Sequence, residues 1–69
     1  MKKIKIKVNG KVKTVLNNSK LSELLNNLNI PIKKVALELN QEIIDKKRTG
    51  NIKLKENDKI EIVHFIGGG

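Results

Sequence analysis

The chain has 69 residues, with fifteen Lys and Arg against seven Asp and Glu, no cysteine, one histidine and Phe65 as its sole aromatic. That length allows one small domain, burying only about 60% of its unfolded surface, with no disulfide staple and no thiolate metal ligand to assist it. A lone histidine makes no zinc site without carboxylates at a spacing this sequence lacks, so no metal is expected. Apolar runs are too short to cross a bilayer and no basic-then-apolar leader is visible, so a soluble, cytoplasmic protein is expected.

The formal charge of +8 invites a nucleic-acid partner. Two observations weigh against it. Lysine, asparagine and isoleucine are over-used together, as A+T-rich codons would produce, and the lysines of "MKKIKIKVNGKVKTV" alternate with apolar residues as on the wet face of a strand. Binders of single strands also add aromatic stacking platforms, and here Phe65 stands alone.

Ile4, Ile6 and Val8 alternate with Lys3, Lys5 and Lys7, the period of a strand with one buried face. Asn9-Gly10 follows, the pair suited to a type I′ hairpin turn because both central residues need positive φ. Lys11 to Leu16 is the returning arm, with Val12 and Leu16 on one face and Lys11 and Lys13 on the other. The period then changes: Leu21, Leu24, Leu25 and Leu28 fall at helical spacing, with Ser19 the expected N-cap and Glu23 near the positive end of the helix dipole. Asn29 and Pro31 end that helix.

Alternation returns at Val35, Leu37 and Leu39, and a tight turn at Asn40-Gln41 leads into a short run from Glu42 to Ile44. "DKKRTGN", residues 45–51, reads as a polar loop. Ile52 and Leu54 are expected to form a brief strand or turn beneath it, "END" a turn, and "KIEIVHFI" the last strand. A chain this short with one helix lays it across one face of a mixed sheet of four to five strands. The last strand pairs most economically beside the first, in the middle. That is the α+β, β-grasp (ubiquitin-like) arrangement, with a domain over residues 1–66 and a flexible glycine tail over 67–69.

Parity along "KIEIVHFIGGG" sets Ile60 and Ile62 toward the helix, and hence Val63 and Phe65 outward, on the face without it. Outward apolar residues of this kind mark docking surfaces. His64 has core parity near the strand's exit and no nucleophile or paired carboxylate beside it in sequence, so it reads as structural. Ile66 is the last position expected to be held. Gly67 to Gly69 pack nothing and suit a use that needs thin, mobile backbone. They are no phosphate cradle, since no helix follows them.

These features together resemble the ThiS family, the sulfur carrier proteins of thiamin biosynthesis. The resemblance runs over essentially the whole chain: the first hairpin, the helix with Leu24-Leu25, "ALELNQEII" at Ala36 to Ile44, and "ENDKIEIVHFIGGG" at the end. Relatives more often carry Gly-Asp where Asn57-Asp58 stands here, and Asn tolerates the same left-handed turn. The lysine excess departs from the usual charge balance.

The resemblance implies a protein co-substrate, not an enzyme, with no catalytic residue and no bound cofactor of its own. It implies that the Gly69 carboxylate is adenylated by an E1-like (ubiquitin-activating-like) enzyme using Mg-ATP. A cysteine-derived persulfide then supplies sulfur to leave a thiocarboxylate on Gly69, which passes its sulfur to thiazole synthase. Gly67 and Gly68 would thread the enzyme's channel, and Val63, His64, Phe65 and Ile66 would dock the body. Two neighbouring readings share this chemistry, the carriers of molybdopterin synthesis and of tRNA thiolation. A third, a basic RNA-binding β-grasp module, would depend on the charge and not on the tail.

Overall fold

The computed structural model describes residues 2–65. The expected glycine tail, and Ile66 as the last held residue, lie outside the described residues. Strand β1 (Lys3–Val8) buries Ile4, Ile6 and Val8 and exposes its lysines. The turn follows as expected, with Asn9 at φ 50° and Gly10 at φ 82°. Strand β2 (Lys11–Leu16) returns antiparallel, with Val15 opposite Ile4, Lys13 opposite Ile6 and Lys11 opposite Val8. Opposed residues share a face, so Val15 is the β2 residue that packs on the core, while Val12 and Leu16 are exposed on the other side. Val12 and Leu16 do share a face, but the two-residue turn sets the register that sends that face outward.

Helix α1 (Leu21–Asn27) buries Leu21, Leu24 and Leu25 against the sheet, with Leu28 half-buried beside them. Its N-cap is Lys20, not Ser19 as predicted. The Glu23 carboxylate accepts a hydrogen bond from the Lys20 backbone N–H at 2.9 Å, half of a capping box. Ser19 is otherwise engaged: its N–H donates to the Leu16 carbonyl and its carbonyl accepts from the Leu54 N–H. The Leu21 N–H in turn donates to the Ile52 carbonyl. This pairing of residues 19–21 with 52–54 moves the cap one residue along. At the other end Asn29 sits at φ 57°. Its N–H donates to the Asn26 carbonyl and that of Ile30 to the Leu25 carbonyl, a Schellman closure with asparagine in the position glycine usually takes. Seven residues are too few to hold a helix alone, so its leucine stripe is what keeps it formed.

A short 3-10 turn (Ile32–Lys34) leads into β3 (Val35–Leu39), and Asn40 and Gln41, both at positive φ, turn the chain into β4 (Glu42–Ile43). Residues 45–51, predicted as a loop, contain a 3-10 helix (Lys46–Asn51) that packs beside α1. The Asp45 carboxylate caps it by accepting from the Lys47 N–H, and the buried Thr49 hydroxyl donates to the Lys46 carbonyl, so the polar residues there bond inward. Below it Lys53 bridges to Lys20 and Leu54 enters the core. Asn57 takes the left-handed turn at φ 71°, as expected.

Strand β5 (Lys59–His64) then inserts between β1 and β3, giving the order β2-β1-β5-β3-β4. It runs parallel to β1, with Lys7 beside Lys59 and Val8 beside Ile60, and antiparallel to β3, with Leu37 beside Ile62. This is the predicted β-grasp sheet with five strands and the helix on one face. The core is formed by Ile4, Ile6 and Val8 of β1, the α1 leucines, Val35 and Leu37 of β3, Leu54, and Ile60 and Ile62 of β5.

Candidate functional site at the exit of the last strand

On β5, Ile60 and Ile62 are buried and Glu61 and Val63 point away from the helix. Val63 is 60% exposed on the face away from the helix, as parity predicts, and Phe65 just beyond the strand is 57% exposed, beside the 3-10 helix that packs against α1. Ala36 of β3 lies beside Val63 and extends the apolar ground. His64 is opposite the buried Val35 and has core parity, yet it is exposed. Ile66, Gly67, Gly68 and Gly69, the other residues expected in the site, lie outside the described residues.

Three contacts define the root of this exit. The Phe65 N–H donates to the Lys34 carbonyl at 2.9 Å, carrying the β3 pairing one residue past the strand. The Lys46 ammonium stands over the Phe65 ring, 4.8 Å from its centroid, a cation–π contact. Third, Asn9 performs a task beyond its turn. Backbone pairing between β1 and β5 stops at Val8 and Ile60, and the Asn9 N–H makes the last rung to the Ile60 carbonyl. Its side-chain amide then takes over the ladder: Oδ1 accepts from the Ile62 N–H at 2.7 Å and Nδ2 donates to the Ile62 carbonyl at 3.2 Å. The amide thus stands in for one residue of strand and holds β5 one rung nearer its exit.

Neither Lys46 nor Asn9 was visible in this role from sequence. Lys46 sits in a run that resembled a solvated loop, and Asn9 was fully accounted for by its turn. The one available signal was asparagine's amide, which carries the same donor and acceptor as a peptide group. A second lock lies at the entry of β5: the buried Asp58 carboxylate accepts from the Lys55 N–H and from the Asn40 side chain, and Asn40 in turn accepts from the Lys59 N–H.

The arrangement offers a firmly held platform with exposed apolar and charged side chains at the end of β5. Among the described residues no three His, Asp or Glu gather as a metal site, and no helix among them is long and apolar enough to cross a membrane.

Comparison with known proteins agrees with this geometry. The profile of the ThiS family matches residues 6–69. The chain is 42% identical over 65 residues to the sulfur carrier protein ThiS of Bacillus subtilis, covering 93% of this chain and 98% of that protein. It is 39% identical over 66 residues to a thiazole synthase of Magnetococcus marinus, of which it spans only 20%. The crystal structure of the thiamine biosynthesis protein ThiS from Geobacter metallireducens superposes with a TM-score of 0.82 at 32% identity, covering 96% of this chain and 100% of that one. With nearly its whole length and its fold matched in this way, the chain belongs to the ThiS family.

Proposed function

We propose that this protein carries sulfur for building the thiazole of thiamin, as a thiocarboxylate on Gly69. The observation that supports it most directly is the near full-length match to a sulfur carrier of the same size. Its β5 leads, through Phe65 tied to Lys34, into Gly67-Gly68-Gly69.

A carboxylate is a poor electrophile. In this reading a ubiquitin-activating-like enzyme supplies Mg-ATP, and a Gly69 carboxylate oxygen attacks the α-phosphorus as pyrophosphate leaves. A cysteine-derived persulfide attacks the acyl carbon, AMP departs, and a thiol reduces the remaining S–S bond to free the thiocarboxylate. The protein contributes no catalytic group and holds no cofactor; it delivers its end. Glycines at 67 and 68 suit that delivery because a Cβ would widen the thread entering a nucleotide site. Ordering that thread costs about 1–2 kcal/mol per residue, so the body must dock to offset it. Val63 and Phe65 are the apolar contacts for docking, with His64 and Ile66 flanking them.

Thiazole synthase is the proposed acceptor, with both enzymes and the carrier in the cytoplasm. The M. marinus thiazole synthase supports the pairing, since a fifth of its length is a segment like this chain.

The test is intact-mass spectrometry after incubation with Mg-ATP, the host's activating enzyme and a sulfide source. The expected result is a mass gain of one sulfur for one oxygen, lost when Gly69 is deleted. An unchanged mass, with an enzyme shown to act on another carrier, would refute the proposal.

A further inference from the structure

The helix-free face of β5 carries Lys59, Glu61 and Val63 in order, and the neighbouring strands repeat each of them. Lys7 of β1 lies beside Lys59, Glu38 of β3 beside Glu61, and Ala36 beside Val63. The buried neighbours Val8 with Ile60, and Leu37 with Ile62, confirm that these pairs share the outer face. Across β1, β5 and β3 the face therefore reads in rungs, one basic, one acidic and one apolar, spread over about 13 Å at ~3.3 Å per residue, with exposed Val12 flanking the basic rung beside Lys7 and exposed Ile43 flanking the acidic rung beside Glu38.

This is a poor arrangement for the fold itself. Like charges directly opposed on adjacent strands are destabilising, and exchanging one lysine with one glutamate would make both rungs attractive. Composition explains half of it at most. With fifteen basic residues, lysine beside lysine arises by numbers; with seven acidic ones, glutamate beside glutamate does not. The basic rung also borders a hollow whose lining includes Lys5, Lys7, Lys59, Val12 and Asn57.

We propose that these rungs are the charge code by which the activating enzyme recognises and orients the carrier. In this assignment, which rests on the function proposed above, the enzyme presents carboxylates to Lys7 and Lys59, a cation to Glu38 and Glu61, and an apolar contact to Val63 and Ala36. Two charge rungs of opposite sign fix a direction as well as an affinity, and wrong partners meet like charge. The apolar rung lies nearest the exit, so the docked body points its final glycines one way. A polyanion such as RNA is a worse fit, because the acidic rung interrupts the positive surface that a phosphate backbone needs.

The test exchanges the rungs: Lys7→Glu and Lys59→Glu together with Glu38→Lys and Glu61→Lys. Net charge and the like-charge character of each rung are preserved; only their order inverts. Steady-state pyrophosphate release by the activating enzyme is measured with the carrier as varied substrate. The expected result is a KM raised at least about ten-fold, equivalent to about 1.4 kcal/mol, with kcat unchanged because the tail is untouched. A thermal melt checks that the variant folds; if it does not, the two half-exchanges are assayed, each expected to raise KM. An unchanged KM in a folded variant, with product still formed, overturns the rung assignment and leaves the carrier function standing. Failure of the wild-type chain to be adenylated sinks both. Poly(U) RNA binding that is lost in Lys7→Glu/Lys59→Glu, with the enzyme indifferent to the exchange, gives the face to RNA and also overturns the assignment.

Discussion

Replacing Asn9 by glycine isolates the amide that extends the sheet. Glycine accepts the φ of 50° at this position, so the hairpin turn survives. What disappears is the pair of hydrogen bonds to the Ile62 backbone, at 2.7 and 3.2 Å. Each is worth about 0.5–1.5 kcal/mol net, and an unmet buried N–H costs more, so we expect a loss of about 2 kcal/mol. Glycine's extra freedom in the unfolded chain and its easier left-handed backbone roughly offset each other. A domain of this size has a total stability of about 3.5–10 kcal/mol at ~0.05–0.15 kcal/mol per residue, so the effect is large. With a urea slope of about 1 kcal/mol per molar, the unfolding midpoint should fall by about 2 M. Amide hydrogen exchange should accelerate more at Ile62 than at residue 9, whose backbone N–H still bonds to the Ile60 carbonyl. Asn9→Asp should fare no better, because a carboxylate oxygen would then face the Ile62 carbonyl. A midpoint within about 0.5 M of wild type, with Ile62 still protected, would refute the idea that the amide substitutes for strand.

Two further substitutions separate the fold from the docking surface. Asp58→Ala removes a carboxylate that accepts from Lys55 and Asn40, and should cost about 2–3 kcal/mol in thermal denaturation, since bonds to charged groups are the stronger kind. A melt equal to wild type would show the Asp58 lock to be idle. Phe65→Ala removes an exposed ring and its contact with Lys46, so stability should fall by less than about 1 kcal/mol. KM for the activating enzyme should rise in the same variant; unfolding of Phe65→Ala would remove Phe65 from the docking account.

Much of this protein was legible in short stretches. Ile4, Ile6 and Val8 record a strand with one buried face, Asn9-Gly10 records its turn, and the spacing of Leu21, Leu24 and Leu25 records the helix. Parity from Ile60 and Ile62 also sets Val63 outward, where it is exposed. Each of these follows from side-chain periodicity or from backbone angles that few residues accept, and both act over a handful of neighbours. Where such cues failed there were two causes, one distant and one local. Ser19 gave up the cap because Leu54 claimed its carbonyl, and residues 45–51 coiled because Thr49 and Asp45 found partners within the run.

What only the tertiary structure decided follows from laying the last strand beside the first. That step joins Asn9 to Ile62, 53 residues apart. It also sets Lys7 against Lys59, and the same strand's pairing with β3 sets Glu38 against Glu61. A local pattern says which residues share a face; only closure of the sheet says which faces meet, because pairing energy is gained between segments that carry no mark of each other.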